Sequence, residues 1–81
     1  MMTTRECVAK RILQLCYDRH LAINALANQA GMAPTTLKNI IYGVSKNPGI
    51  VTIKMVCDGL GISLPEFFDT DEFRNLEQEV V

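Results

Sequence analysis

The stretch INALANQAGMAPTTLKNIIY, from Ile23 to Tyr42, decides the fold of this 81-residue chain. Its apolar residues recur at helical spacing in two blocks, Ile23, Leu26, Ala27 and Ala30 and then Leu37, Ile40 and Ile41. Gly31 lies between the blocks, where a helix can end in the left-handed conformation because glycine has no Cβ. Pro34 suits the first turn of a second helix, since no helical hydrogen bond needs its missing N–H. The stretch therefore predicts two short helices joined by a tight turn.

The predicted helices, over about 23–30 and about 34–42, form a pair held at a steep angle, because small Ala27 lets them cross closely. Such a pair is a helix-turn-helix. The second helix of this motif can enter the major groove of double-stranded DNA. DNA binding is therefore the first functional hypothesis that the residues raise.

Helical spacing continues on both sides of the motif. Two further helices are predicted by their apolar residues: one over about 4–18, with Val8, Ile12, Leu15 and Cys16, and one over about 50–60, with Ile53, Val56, Cys57 and Leu60. Gly43 and Gly61 end the helices that precede them, and the composition of VSKNPG predicts a loop. No strand pattern or internal repeat occurs in the sequence, which predicts an all-α fold.

The last third of the chain predicts two short helices. Ser63 and Glu66 match a capping box, which opens a fifth helix carrying Leu64, Phe67 and Phe68. A last short helix is predicted from a cap at Asp69 or Thr70 and from the apolar residues Phe73, Leu76 and Val80. We therefore expect five helices, with a short sixth at the carboxy-terminal end.

Length and composition describe one small domain. We expect it to cover residues 1–69, with residues 70–81 forming an acidic tail or short helix. The hydrophobic content of 48% argues against disorder and leaves apolar surface for a partner. No apolar run reaches the ~18 residues of a membrane span, and MMTTRECVAKR lacks the apolar core of a signal peptide. We therefore expect a cytoplasmic protein without membrane association.

The residues predict neither a metal site nor an active site. The three cysteines, Cys7, Cys16 and Cys57, form no C-x-x-C pair, and His20 is the only histidine, which disfavours zinc. We expect the cysteines to be buried free thiols. The sequence assembles no nucleophile with an acid and a base, so we expect no enzyme activity, no cofactor and no small-molecule ligand.

The net charge of −1 conceals a strong polarity along the chain. Residues 19–57 contain no acid and carry four cations, Arg19, Lys38, Lys46 and Lys54. Residues 58–81 carry seven acids and only Arg74. Phosphate binding requires local positive potential rather than a basic whole protein. The basic segment includes the helix-turn-helix, and we expect the acidic segment to lie on the side away from DNA.

The motif and its flanks resemble the Cro/C1-type (XRE) family of helix-turn-helix regulators, which includes phage repressors. The motif's likeness is carried by Ala27, Gly31, Leu37 and Ile40. RILQLCYDRHLAINALA is similar to the family's first helix and its entry into the second, and SKNPGIVTIKMVCDGLGISLPEFF is similar to the fourth and fifth helices. The resemblance covers about residues 10–68 and implies the five-helix lambda-repressor-like DNA-binding fold.

The resemblance also implies which residues read DNA bases. With Leu37, Ile40 and Ile41 pointing inward, the family's base-reading positions match Pro34, Thr35, Lys38 and Asn39, with Thr36 at the edge. An Asn side chain can bond adenine through two hydrogen bonds, a Lys reaches guanine, and a Thr methyl contacts the thymine methyl. Proline departs from the polar residue usual at its position and offers only apolar contact.

Contacts to the phosphate backbone are expected at the edges of the motif. The expected residues are Asn24 in the first turn of the second helix, Tyr42 after the third, and the loop residues Ser45, Lys46 and Asn47. Ala22 and Ala33 precede the two helices, where the family often has a capping Ser or Thr. Each alanine forgoes about 1 kcal/mol of capping.

Two functional hypotheses stay open at this point. The first is a sequence-specific transcriptional regulator, a repressor that occupies an operator. The second is an interaction module of the same fold, antitoxin-like or an anti-regulator, which binds another protein through its spare apolar surface and acidic tail. DNA binding at moderate salt, with the salt dependence of phosphate contacts, separates the two.

A repressor of this size is expected to bind an inverted repeat as a homodimer, because one small domain reads only a few base pairs. The expected dimer contact is the carboxy-terminal third. Phe67 and Phe68 exceed what one short helix buries, and a further apolar stripe follows at Phe73, Leu76 and Val80. The alternative is that the aromatic residues pack against this domain's own core.

Overall fold

The computed structural model describes residues 2–79, and all regular secondary structure in that range is helical. The elements are α1 Thr4–Asp18, α2 Ile23–Ala30, α3 Pro34–Ile41, α4 Ile50–Leu60, α5 Leu64–Phe68 and α6 Asp71–Arg74. The predicted all-α fold and order of helices are confirmed. The third helix ends at Ile41, one residue before the predicted end, and Tyr42 is its carboxy-terminal cap.

The core is formed by side chains from α1, α2, α3, α4 and α5. Its largest fully buried side chains come from five helices: Phe67, Ile12, Leu26, Leu37, Val56 and Cys57. The central α2 packs against both α3 and α4, and α1 packs against α3. The predicted inward residues of α3, Leu37, Ile40 and Ile41, are all buried. Packing of α3 from two sides holds it in one orientation.

The turn between α2 and α3 has the geometry that its glycine predicts. Gly31 has φ 72°, in the left-handed region. The N–H of Met32 donates to the carbonyl of Ala27 at 3.0 Å, which closes the end of α2. Proline follows at the first position of α3. The chain therefore reverses direction within three residues.

A glycine also sets the distance between α2 and α4. A Cβ built on Gly59 meets the backbone nitrogen of Ala30 at 2.8 Å and its Cα at 3.0 Å. Backbone atoms cannot move aside as a side chain does, so only glycine allows this crossing. The position of α2, and through it that of α3, depends on this contact.

The end of α1 uses histidine where glycine is the usual residue. His20 has φ 51°, and the N–H of Leu21 donates to the carbonyl of Cys16 at 2.9 Å. This hydrogen bond matches the one that closes α2, but a side chain with a Cβ is strained at positive φ.

We expect His20→Gly to stabilise the domain by about 0.5–1 kcal/mol, because relief of the strain exceeds the entropy that glycine adds to the unfolded chain. Urea unfolding followed by circular dichroism measures the change. Gly31→Ala, at the matching position of α2, should shift the midpoint in the opposite direction. A lower midpoint for His20→Gly would contradict this account of the α1 terminus.

The carboxy-terminal aromatic residues pack within the domain. Phe67 is fully buried, and Phe68 and Phe73 pack against the core. Their rings lie edge to face, 4.9 Å apart. The Arg11 side chain donates to the backbone carbonyls of Phe67 and Glu66 at 2.7 and 3.0 Å, which fixes the end of α5 to α1.

This packing corrects the expectation that the aromatic residues are spare surface for a dimer. The alternative, in which they pack against the domain's own core, is what the structure shows. Leu76 is half-buried after the end of α6. Val80, the last member of the predicted stripe, lies outside the described residues.

Capping differs from the prediction in one respect. The Ser63 hydroxyl oxygen accepts from the N–H of Glu66 at 3.2 Å, as the motif predicts. The full reciprocal capping box occurs at α1 instead, where Thr3 Oγ1 accepts from the N–H of Glu6 and the N–H of Thr3 donates to Glu6 Oε1 at 2.9 Å. Hydrogen bonding of the Glu6 carboxyl to the backbone N–H of Thr3, and then to its side chain, lowers the pKa of that carboxyl.

The three cysteines are free and buried, as predicted. Burial raises the pKa of each thiol, which disfavours the reactive thiolate. Among residues 2–79, no group of three or more His, Cys, Asp or Glu side chains is placed to hold a metal ion. None of the helices described here has the length and apolar character that crossing a membrane requires.

Candidate DNA interface

The five predicted base-reading residues lie along the face of α3 opposite its buried side. Thr35 and Thr36 are exposed, and Pro34, Lys38 and Asn39 are half-buried. This face is set by the helical spacing, because the intervening positions supply the buried stripe. All five side chains therefore belong to one surface.

A shallow depression joins α3 to the loop that follows it. Its lining includes Thr36 and Asn39 from α3 and Ser45 and Asn47 from the loop. The N–H of Ser45 donates to the carbonyl of Asn39 at 2.9 Å, so the loop is fastened to the helix. Two predicted base-reading residues and two predicted phosphate-binding residues are thus brought together.

A second groove, of about 680 Å³, begins where that depression ends. Its lining comes from the loop after α3, from the start of α1 and from core-facing apolar side chains, and includes Lys46, Asn47, Thr4, Arg5, Val8, Ile53 and Phe68. Glu79 also lines this groove. Asn47 contributes to both, so the two concave surfaces are continuous.

The remaining two predicted phosphate contacts lie elsewhere on the surface. Asn24 is exposed in the first turn of α2. Tyr42 is 68% exposed and lines a separate shallow depression with Arg5 and Leu13. Neither residue lines the depression between α3 and the loop.

The amino-terminal ends of the helices fall into two groups. Those of α1, α5 and α6 have side-chain caps, from Thr3, Ser63 and Thr70, and an acid in the first turn. Those of α2, α3 and α4 have neither a side-chain cap nor an acid in the first turn. Uncapped helix ends present N–H groups and positive potential to an external anion.

The uncapped ends include the two helices that Ala22 and Ala33 precede, as predicted, and also α4, which follows Gly49. Each alanine forgoes about 1 kcal/mol of capping, whereas glycine at the start of α4 forgoes only a few tenths of a kcal/mol. The N–H groups at these three helix ends are therefore open to an external hydrogen-bond acceptor.

The basic segment contributes fewer cations to this surface than its charge predicts. Arg19 donates to the backbone carbonyl of Leu60 at the end of α4, and Lys54 forms an ion pair with Asp58. Both serve internal contacts. Lys38 and Lys46 are the cations of this segment that lie on α3 and its loop.

The acidic segment does not lie wholly on the far side, contrary to expectation. Glu72 on α6 pairs with Lys10 of α1 at 3.4 Å. Further along, Glu79 Oε1 accepts from the N–H of Thr4 at 3.1 Å and lines the groove beside Lys46. The sequence carries no signal for this contact, because the two residues are 75 positions apart.

Sequence reasoning passed over two residues at this surface. Thr52, in the first turn of α4, lines the depression beside Asn39. Arg5 lies across from Lys46, with its guanidinium against the Gly43 turn. The missing cap at the start of α4 could have indicated Thr52 from the sequence. Arg5 has no such signal, because only the packing of α1 against α3 brings it to this surface.

The two crossed helices and the exposed face of the second define a helix-turn-helix protein. The sequence profile of the Cro/C1-type HTH DNA-binding domain matches residues 11–72, and the chain belongs to this family. The fold is similar to that in the "Crystal structure of the prophage Lp1 protein 11", with a TM-score of 0.81 and 37% sequence identity. The similarity covers 94% of this chain and 100% of the prophage chain. A search of curated proteins finds no match.

Proposed function

We propose that the protein is a sequence-specific transcriptional repressor that reads the major groove of an operator with α3. The observation that carries this proposal is the division of helix ends: α2, α3 and α4 are uncapped and free of first-turn acids, whereas the other three are capped. A phosphate backbone supplies the anion that such ends lack. Membership in the Cro/C1-type family supports the same function. The protein acts in the cytoplasm, without a cofactor, and is not an enzyme.

Each part of the surface has a distinct role in this proposal. Bases are contacted by Pro34, Thr35, Thr36, Lys38 and Asn39. Phosphates are contacted by Asn24, Tyr42, Ser45, Lys46 and Asn47. The base contacts give specificity, and the phosphate contacts set the register of the domain on the duplex.

A homodimer on an inverted repeat places two α3 helices one helical turn of DNA apart, about 34 Å. The buried Phe67 is unsuited to this contact. Exposed large apolar side chains occur close to α3 instead, at Val44, Ile50 and Val51. We propose that these residues, rather than the carboxy-terminal aromatic cluster, meet the second subunit.

Selection of bound duplexes from a random pool, followed by sequencing, tests the proposed function. Enrichment of an inverted repeat is the expected result, and binding should weaken steeply with salt because phosphate contacts release counterions. A pool that stays random after repeated selection at moderate salt would overturn the proposal. The rival function, an antitoxin-like or anti-regulator interaction module, is favoured by the six large apolar side chains that are exposed among residues 2–79, and it predicts that outcome.

We expect Asn39→Ala to relax the preference at one base pair of each half-site by roughly 1–3 kcal/mol. Lys46→Ala should instead weaken binding to all sequences alike and reduce the salt slope by about 1. Binding profiles on a library of single-base operator variants measure both effects. Asn75→Ala, an exposed asparagine at the end of α6, is the matched control and should leave the profile unchanged. An unaltered profile for Asn39→Ala would remove this residue from the set of base readers.

A further inference from the structure

The groove between the start of α1 and the loop after α3 is a candidate extension of the DNA-binding surface. Its lining includes two cations, Arg5 and Lys46, and the amide of Asn47, beside the apolar side chains of Val8, Ile53 and Phe68. Asn47 also lines the depression beside Asn39, so the groove continues directly from the proposed recognition face. A DNA strand that contacts Lys46 and Asn47 therefore passes along this groove.

One anionic group already lies in the groove. Glu79 lines it, and its Oε1 atom accepts from the Thr4 N–H at 3.1 Å. Hydrogen bonds from the side chain and the backbone N–H of Thr4 lower the pKa of the Glu79 carboxyl, so the group is ionised at neutral pH. A carboxylate here presents the charge and acceptor oxygens that a phosphate presents.

The acidic tail is anchored so that it can reach this point. Lys10 pairs with Glu72 on α6, and Phe73 packs against the core. Residues beyond α6 contain no regular helix up to residue 79. The anchored helix holds the following short segment near α1, which gives its carboxylate a high local concentration at the groove.

We propose that this groove is an additional DNA-backbone site with Arg5 as its cation, and that Glu79 occupies it in the free protein. The inference rests on the proposed function. DNA binding displaces the carboxylate, because two anions cannot share the groove without repulsion. The acidic tail thereby lowers the apparent affinity for all DNA sequences alike and leaves the base preference unchanged.

The test compares Glu79→Ala with Glu77→Ala, which removes an identical charge from the same exposed segment. Glu79→Ala should raise operator affinity by about threefold to tenfold, which corresponds to a tail that occupies the groove about two-thirds to nine-tenths of the time. Glu77→Ala should change affinity by less than about twofold, because distant exposed charges are screened by salt. Equal gains for both variants would overturn the proposal, since general repulsion by the tail then explains them.

A second test of the proposal uses a substitution at Arg5. Arg5→Ala should weaken operator binding more in the Glu79→Ala background than in the wild type, and it should reduce the salt slope there by about 1. Equal losses of affinity in the two backgrounds would show that Arg5 and the tail act independently, and would overturn the proposal. Circular dichroism confirms that each variant, altered at the surface, retains its helicity.

The NMR resonance of the Thr4 amide reports its contact with Glu79 directly, without a measurement of affinity. It should shift in Glu79→Ala, stay in place in Glu77→Ala, and move towards its Glu79→Ala position when operator DNA is added to the wild type. A Thr4 resonance that ignores DNA while the operator binds overturns the tail proposal alone. Failure of every variant to bind any duplex would instead overturn the proposed function, and this inference with it.

Discussion

Replacing Phe67 by alanine should lower the free energy of unfolding by about 3–5 kcal/mol, the largest effect that we expect from a single side-chain truncation. The ring is fully buried and contacts both other aromatic side chains of the carboxy-terminal region, at centroid distances of 5.0 Å to Phe68 and 6.1 Å to Phe73. Removing it leaves a cavity that short α5 cannot close. Because small domains are only marginally stable, a loss of this size should leave a large fraction of the protein unfolded.

Thermal and urea unfolding measure this loss, and each kcal/mol lowers the midpoint by roughly 4–8 °C in a domain of this size. Phe73→Ala is the matched control, since the same ring is removed from a half-buried position on α6. It should cost less than half as much. If Phe67→Ala unfolded at the wild-type midpoint and dissociated a dimer instead, the aromatic cluster would be an interface after all.

The helices were predictable because the signals for their ends are local. Gly31 and Gly61 adopt left-handed φ values where the apolar spacing stops, and Pro34 begins α3. Helix ends depend on the conformational freedom of one or two residues, which a sequence displays directly. The same locality made the outward face of α3 predictable, because its buried stripe leaves only one other face.

The contacts of the carboxy-terminal region were not predictable in the same way. The position of Phe67 depends on how several helices pack into one core, and the contact of Glu79 with Thr4 joins opposite ends of the chain. An apolar stripe is compatible with a dimer or with a core, and the sequence pattern is identical in the two cases. Likewise, Arg19 counted towards the positive charge of residues 19–57, whereas its side chain donates to the carbonyl of Leu60.

The orientation of α3 depends on a series of packing contacts between helices. Its outward residues are oriented by α2, and α2 is held by α4. Where α2 and α4 cross, Gly59 lies directly against the backbone of Ala30 at the end of α2. A displacement there moves α3 and the base-reading face proposed for it, because Ala30 immediately precedes the turn into α3.

Gly59→Val should therefore reduce both stability and operator binding. We expect a loss of at least about 3 kcal/mol in the free energy of unfolding, because the added Cβ meets backbone atoms that cannot be repacked. The better helix propensity of valine returns only a few tenths of a kcal/mol.

Gly59→Ala should lie between Gly59→Val and the wild type, since its single methyl already meets the Ala30 nitrogen at 2.8 Å. Gly49→Ala is the control: its Cβ has no neighbour within 4 Å, and its stability should stay within about 1 kcal/mol of the wild type. Urea unfolding gives the stabilities, and binding corrected for the folded fraction isolates the displacement of α3. A Gly59→Val protein that unfolds like the wild type and binds the operator equally well would show that the crossing of α2 and α4 has room for a side chain, and that α3 is oriented by other contacts.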